Sequence, residues 1–248
     1  MSAPITVLPV AEIPEIEAGA DLAGMIAAAA DLADGDILVV AQKVVSKAEG
    51  RGRRLAEVVP SRRATELGRD LDKDPRLVEL ILAESVRIVR SERVLIVETT
   101  SGLICANAGI DSSNVGTAGQ VLLLPEDPDA SARRLRAGIE GAAGARVGVV
   151  IGDSFGRPWR VGQTEVAIGC AGVRPTEDWR GRSDRDGREL EATEIAVADQ
   201  LAAAADLVRG KAAGIPVALI RGRTDLVTDE DGPGANLLQR AREEDLFR

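Results

Sequence analysis

Two aspartates stand among residues that could handle phosphate and metal. Asp153 comes one residue after the apolar run at positions 147–151, which puts it at a strand's carboxyl end; Ser154, Gly156, Arg157 and Arg160 come after it. A carboxylate and a hydroxyl can bind a cation, and nearby arginines can hold phosphate oxygens bidentately. A turn aspartate with two solvated arginines is the plainer reading of the same residues. Asp111 lies in ANAGIDSSNV, positions 106–115. Such a loop can present backbone N–H groups to an anion while its carboxylate holds a metal. It can equally be an Asx-turn that ends a strand. The pair says more than either member, because two carboxylates held close repel unless a cation sits between them.

The basic residues add further positions. Lys43 and Lys47 are four apart and straddle the end of a strand-like run, where they could contact phosphate or simply be solvated at an edge. Of 31 basic residues only Lys43, Lys47, Lys73 and Lys211 are lysine. A compact ammonium can reach a phosphate where a forked guanidinium does not fit. Arg209-Gly210-Lys211 closes an alanine-rich helical pattern, where a lysine also complements the helix dipole. Positions 184–191 alternate in sign, which fits a solvated surface or a loop that binds an amino acid such as glutamate.

The elements that must position these residues follow from periodicity. Strand-like runs fall at 5–10, 37–45, 94–99, 121–124, 147–152, 166–171 and 217–221, and helical patterns at 21–33, 61–71, 75–90, 128–143 and 193–208. Asp74-Pro75 and Asp127-Pro128 each set a capping acceptor before a proline at the first helical position. Strands and helices alternate unevenly, so a mixed α/β (α+β) fold is expected rather than a regular barrel. The polar loops at 42–51, 106–115, 152–162 and 181–190 stand where open α/β sheets bind ligands.

Composition removes several classes. The chain contains no histidine, which excludes a Ser-His-Asp triad, a Cys-His pair and any histidine-held zinc. A catalytic metal would be held mainly by oxygen, which favours Mg2+ or Mn2+. No GxxxxGK[ST] loop and no GxGxxG is present, so neither a P-loop nor a Rossmann site is expected. A net charge of −9 argues against a nucleic-acid partner. No apolar run reaches membrane-spanning length, no signal peptide is visible, and two cysteines make no disulfide framework, so the expected place is the cytoplasm, off the membrane.

At these residues the chain resembles the coenzyme F-420-0:L-glutamate ligase family, the γ-glutamyl ligases of deazaflavin biosynthesis. The matching segments are ILVVAQKVVSKAEGR (37–51), LICANAGIDSSNV (103–115), VVIGDSFGRPWRVGQTEVAIG (149–169), GRELEATEIAVADQLAAAADLVRGK (187–211) and positions 216–222. The resemblance implies that GTP phosphorylates the terminal carboxylate of the coenzyme precursor. The glutamate amine then attacks the acyl phosphate, and a second glutamate adds through the γ-carboxylate of the first. It implies Mg2+ or Mn2+ with K+ as a helper ion, and an intertwined homodimer of unusual α/β fold. Asp111 and Asp153 resemble metal ligands, with Ser154 a further one. Ile13, Pro14, Glu15, Ile16, Gln42, Lys47 and Asn114 resemble GTP contacts, and positions 209–215 resemble another nucleotide loop holding Arg209, Gly210 and Lys211.

There are departures from the family pattern. Lys211 stands where many relatives carry a glutamate that binds a second metal; its ammonium cannot ligate a metal but can meet a phosphate as a point charge. Gly152 stands where threonine is commoner. One ligase domain over 1–248, possibly as two closely joined lobes, is expected, without the reductase-like domain that follows in some relatives. Two other readings stay open: a γ-glutamyl ligase for another carboxylate such as a folate, and a GTP-binding regulator without chemistry.

Overall fold

The computed structural model describes residues 4–112, 119–210 and 213–246. In chain order the first half contains β1 (Thr6–Val10), α1 (Leu22–Ala29), β2 (Asp36–Ala41), α2 (Gln42–Ala48), β3 (Gly52–Arg54), α3 (Arg62–Leu71), α4 (Pro75–Ala83), β4 (Ser85–Arg90), β5 (Ile96–Thr99) and β6 (Ile104–Ala106). The second half contains β7 (Gln120–Leu122), α5 (Pro128–Ala143), β8 (Val147–Arg157), β9 (Arg160–Ala171), β10 (Thr176–Asp178), β11 (Glu194–Ala196), α6 (Val197–Arg209) and β12 (Val217–Arg221).

A five-stranded sheet in the order β1-β12-β2-β8-β9 forms the frame. β2 and β8 run parallel from Asp36 opposite Val147 to Ala41 opposite Gly152, and the other neighbours are antiparallel. The near-continuous apolar runs of β2 and of the first half of β8 fit strands covered on both faces. Alternate residues divide between the two faces. Leu38, Val40, Val149 and Ile151 pack with Leu22, Ile26, Leu135 and Ile139 of α1 and α5. Ile37, Val39 and Val150 pack with Ala198, Leu201, Ala202 and Ala205 of α6. A third apolar cluster joins Ala64, Val78 and Ile81 of α3 and α4 to Leu95, Val97 and Ala108 around the small sheet β4-β5-β6.

Helix ends follow local chemistry. The side chains of Asp21, Ser61, Asp74 and Asp127 accept from the N–H groups of Gly24, Ala64, Arg76 and Ala130, and Pro75 and Pro128 open their helices. α5 stops on Gly144 at φ 68°, the left-handed region that glycine enters without strain. Where α5 meets β9 a glycine is required: a Cβ at Gly169 would lie 2.3 Å from the carbonyl oxygen of Pro128. Among the described residues no helix is long and apolar enough to cross a membrane.

Several sequence expectations are corrected. The run at 37–45 is not one strand: pairing ends at Ala41, and Gln42–Ala48 turns into α2. Val44 and Val45 read as strand by type, but Val45 is buried as part of the α1-side core. The helix expected to reach residue 90 ends at Ala83, and Ser85–Arg90 pairs with β5 instead. The polar segment 152–162, expected as a loop, is mostly the outer half of the β8–β9 hairpin. Asp153 therefore lies inside a strand rather than at its end, because cross-strand pairing with Val166 carries the backbone onward. The helix expected at 193–208 begins at Val197, after the short strand β11.

Candidate active site

The parallel pair β2 and β8 ends at a cleft of about 2190 Å3, where open α/β sheets place ligands. Ile13, Pro14, Glu15 and Ile16 line it, with Gln42, Lys43 and Lys47 of α2, Asp111, Asp153, Ser154 and the α6 terminus at Arg209 and Gly210. These are the expected positions, drawn from segments far apart in sequence. Asn114 and Lys211, also expected there, lie outside the described residues.

Asp111 is fixed first by its backbone, which exchanges two hydrogen bonds with Leu122 at 3.0 and 2.8 Å. Its carboxylate is then held from α2. Gln42 Nε2 donates to Oδ2 at 2.7 Å, and Lys43 Nζ lies 3.3 Å from Oδ1. Gln42 is itself buried and oriented, because its Oε1 accepts from Ser46 Oγ at 3.0 Å. The start of α2, misread as strand, is thus what aims Asp111. One turn on, Lys47 pairs with Glu15.

Asp153 enters the cleft from β8. Burial raises its carboxyl from 3.8 to about 7, Asp111 and then Glu165 push the same way, and the Ser154 N–H and Lys43 oppose them. The side chain keeps some contact with the cleft, and solvent there offsets part of the rise. The adjacent Ser154 hydroxyl donates to Glu165 Oε1 at 2.9 Å across the hairpin. Behind Glu165 lies Arg209, with Nη2 2.8 Å from Oε2.

Glu165 is one cleft residue that sequence reasoning does not single out. It lies directly opposite Ser154 in the strand register, a relation visible only once residues 152–162 are read as a hairpin. Asp199 was also missed; it lines the cleft while accepting from the Ala167 N–H at 2.9 Å. Other expectations do not converge on the site. Arg157 lines the cleft, but its guanidinium bonds the Val161 and Gly162 carbonyls of its own hairpin. Arg160 and positions 184–191 are absent from the lining. In that stretch Asp184 accepts from the N–H groups of Asp186 and Arg188 at an exposed turn, as a solvated surface would.

Among the described residues, no three His, Cys, Asp or Glu side chains form a ready-made metal cluster. Two carboxylates and a hydroxyl nevertheless fit Mg2+ or Mn2+ better than a softer ion, since Mg2+ typically takes one or two carboxylates and fills its shell with water and phosphate. The raised Asp153 carboxyl fits as well: two neighbouring acids in a recess are the environment that a cation would relieve.

The profile of the F420-0:Gamma-glutamyl ligase family matches residues 11–222. The chain belongs to this ligase family. Its matched span holds every described residue placed in the cleft above from Gln42 to Gly210, and the Ile13–Ile16 stretch before them. Similar proteins include the coenzyme F420:L-glutamate ligase of Halobacterium salinarum, 48% identical over 84% of this chain and 83% of that one. The enzyme of the same name from Methanothermobacter thermautotrophicus is 46% identical over 98% and 99% of the two chains. That of Haloarcula marismortui is 44% identical over 95% and 93%.

Proposed function

We propose that the protein ligates L-glutamate to coenzyme F-420-0 at the expense of GTP, then adds further glutamate through the γ-carboxylate. The observation that carries this reading is the meeting of Asp111, Asp153, Ser154 and Lys43 in one cleft. The description of the family supplies the acceptor, and the names of the relatives supply the amino acid.

In the reaction, a carboxylate oxygen of the acceptor attacks the γ-phosphorus as the bond to GDP breaks. The glutamate amine then attacks the acyl carbon, phosphate leaves, and the amine gives up its proton to solvent. Phosphoryl transfer of this kind asks for positioning and charge neutralisation more than for a protein base, so a chain without histidine can perform it. Asp111, Asp153 and Ser154 would hold Mg2+ or Mn2+, which supplies Lewis-acid stabilisation of the transferring group. Gln42 keeps Asp111 aimed. Lys43 and Lys47 carry ammonium groups into the cleft and can exchange their present carboxylate partners for phosphate oxygens. Glu15 and its neighbours Ile13, Pro14 and Ile16, with Arg209 and Gly210, form the rest of the nucleotide groove. We assign K+ as a helper ion, a homodimer as the working form and the cytoplasm as its place.

GDP release tests this reading. With GTP, Mg2+, glutamate and F-420-0 it should be rapid, and without acceptor it should nearly stop. Release driven instead by a folate acceptor would make the protein a different γ-glutamyl ligase. Nucleotide binding without release under any acceptor would make it a regulator.

A further inference from the structure

Glu165 and Arg209 are buried side by side in the cleft wall, with side chains only 8% and 5% exposed. Their 2.8 Å contact lacks hydrogen-bond geometry: Glu165 Oε2 and Arg209 Nη1 have no hydrogen-bond partner among the described residues. Burying two charges costs several kcal/mol per ion (roughly, after relaxation), and only good geometry with further hydrogen bonds recovers it. This pair is therefore a poor device for stability. The hydrogen bond that Glu165 does make points to another role, since its Oε1 takes the Ser154 hydroxyl.

A serine hydroxyl has one proton and two lone pairs. With the proton directed at Glu165, the oxygen turns its lone pairs, not its proton, towards whatever lies on its other side. A carboxylate behind a ligating group also strengthens that group as a donor. Glycine at 152 belongs to the same arrangement: a Cβ there would stand 2.5 Å from Glu165 Oε2, so a side chain at 152 would displace the end of Glu165 towards the Arg209 that backs it.

We infer that Glu165, clamped by Arg209, is a positioning residue that prepares the Ser154 hydroxyl to hold a divalent cation in the cleft. This rests on the ligase reading for its biological purpose, but its physical content concerns cation affinity alone. Glu165 acts through Ser154 and does not itself touch substrate.

The test is a double-mutant cycle on Mn2+ affinity, read by electron paramagnetic resonance of the free ion without nucleotide or turnover. Glu165→Gln and Ser154→Ala should each weaken Mn2+ binding by about tenfold. The double variant should be no weaker than the weaker single one, because Glu165 acts on the cation only through the Ser154 hydroxyl. Wild-type affinity in folded Glu165→Gln, or losses that multiply in the double variant, overturns the inference. If Glu165→Gln does not fold, Glu165→Gln/Arg209→Gln removes both charges and takes its place in the cycle under the same criteria. The ligase reading fails separately: wild type that binds Mn2+ through this pair yet never releases GDP with F-420-0 keeps the inference and sinks that reading. Wild type that turns over while the cycle shows no coupling does the reverse.

Discussion

Replacing Asp153 by asparagine separates what this carboxylate does for the fold from what it does for the site. Burial, Asp111 and Glu165 move its carboxyl from 3.8 to about 7. At 1.36 kcal/mol per tenfold in proton affinity, that sets a ceiling of roughly 4 kcal/mol on the cost of keeping it ionised above neutrality. The cleft admits solvent, so we expect about 1–2 kcal/mol to be realised. The folded-state value lies above the unfolded one, so the folded protein binds this proton more tightly. The cost is therefore absent below about pH 4, grows as pH rises to about 7 and is constant above. With chelator present, Asp153→Asn should melt higher than wild type at pH 8, by a few degrees at about 2–4 °C per kcal/mol. That advantage should shrink steadily towards pH 4. Adding Mn2+ should raise the melting temperature of wild type and leave the variant unmoved, because an amide is a weak ligand. Melting scans across pH, with and without Mn2+, measure all of this. A variant no more stable than wild type at pH 8, yet still stabilised by Mn2+, would refute the reasoning.

Three other perturbations act on packing and burial. Gly152→Ala should push Glu165 out of register with Ser154 and weaken Mn2+ binding about as much as Glu165→Gln, a change the same resonance titration detects. Gly169→Ala sets a methyl against the Pro128 carbonyl and should cost about 1–3 kcal/mol or more in urea unfolding, with Mn2+ affinity unchanged. Burial pushes both thiols up to about 12, with Asp153 adding to the effect at Cys105 and Asp129 at Cys170. At pH 8 the native protein should accordingly react with a disulfide reagent far more slowly than the denatured chain, in which both cysteines react at once.

The parts of the site that the sequence makes legible are those set by local chemistry. Asp153 stands out because it follows a long apolar run, and Asp111 because of the polar loop around it. The absence of histidine means that any metal bound here would be held mainly by oxygen. The capped helices at Pro75 and Pro128 start where aspartate-proline pairs predict. What is not legible depends on partners distant in the chain. Val44 and Val45 look like strand, and only the end of pairing at Ala41 turns them into helix. Ser85–Arg90 is rich in β-branched residues, but it follows a true helix without a breaking glycine or proline and is read as its continuation. Glu165 carries no local signal at all. Its place beside Ser154 comes from counting along a hairpin, and its partner Arg209 arrives from the end of another element.

What the protein makes is the most direct test of the ligase reading. Purified protein incubated with F-420-0, GTP, Mg2+ or Mn2+ and L-glutamate should yield, by mass spectrometry, coenzyme heavier by whole glutamyl residues, with at least one GDP formed for each residue added. Unchanged coenzyme from folded protein that binds both nucleotide and Mn2+ would contradict it.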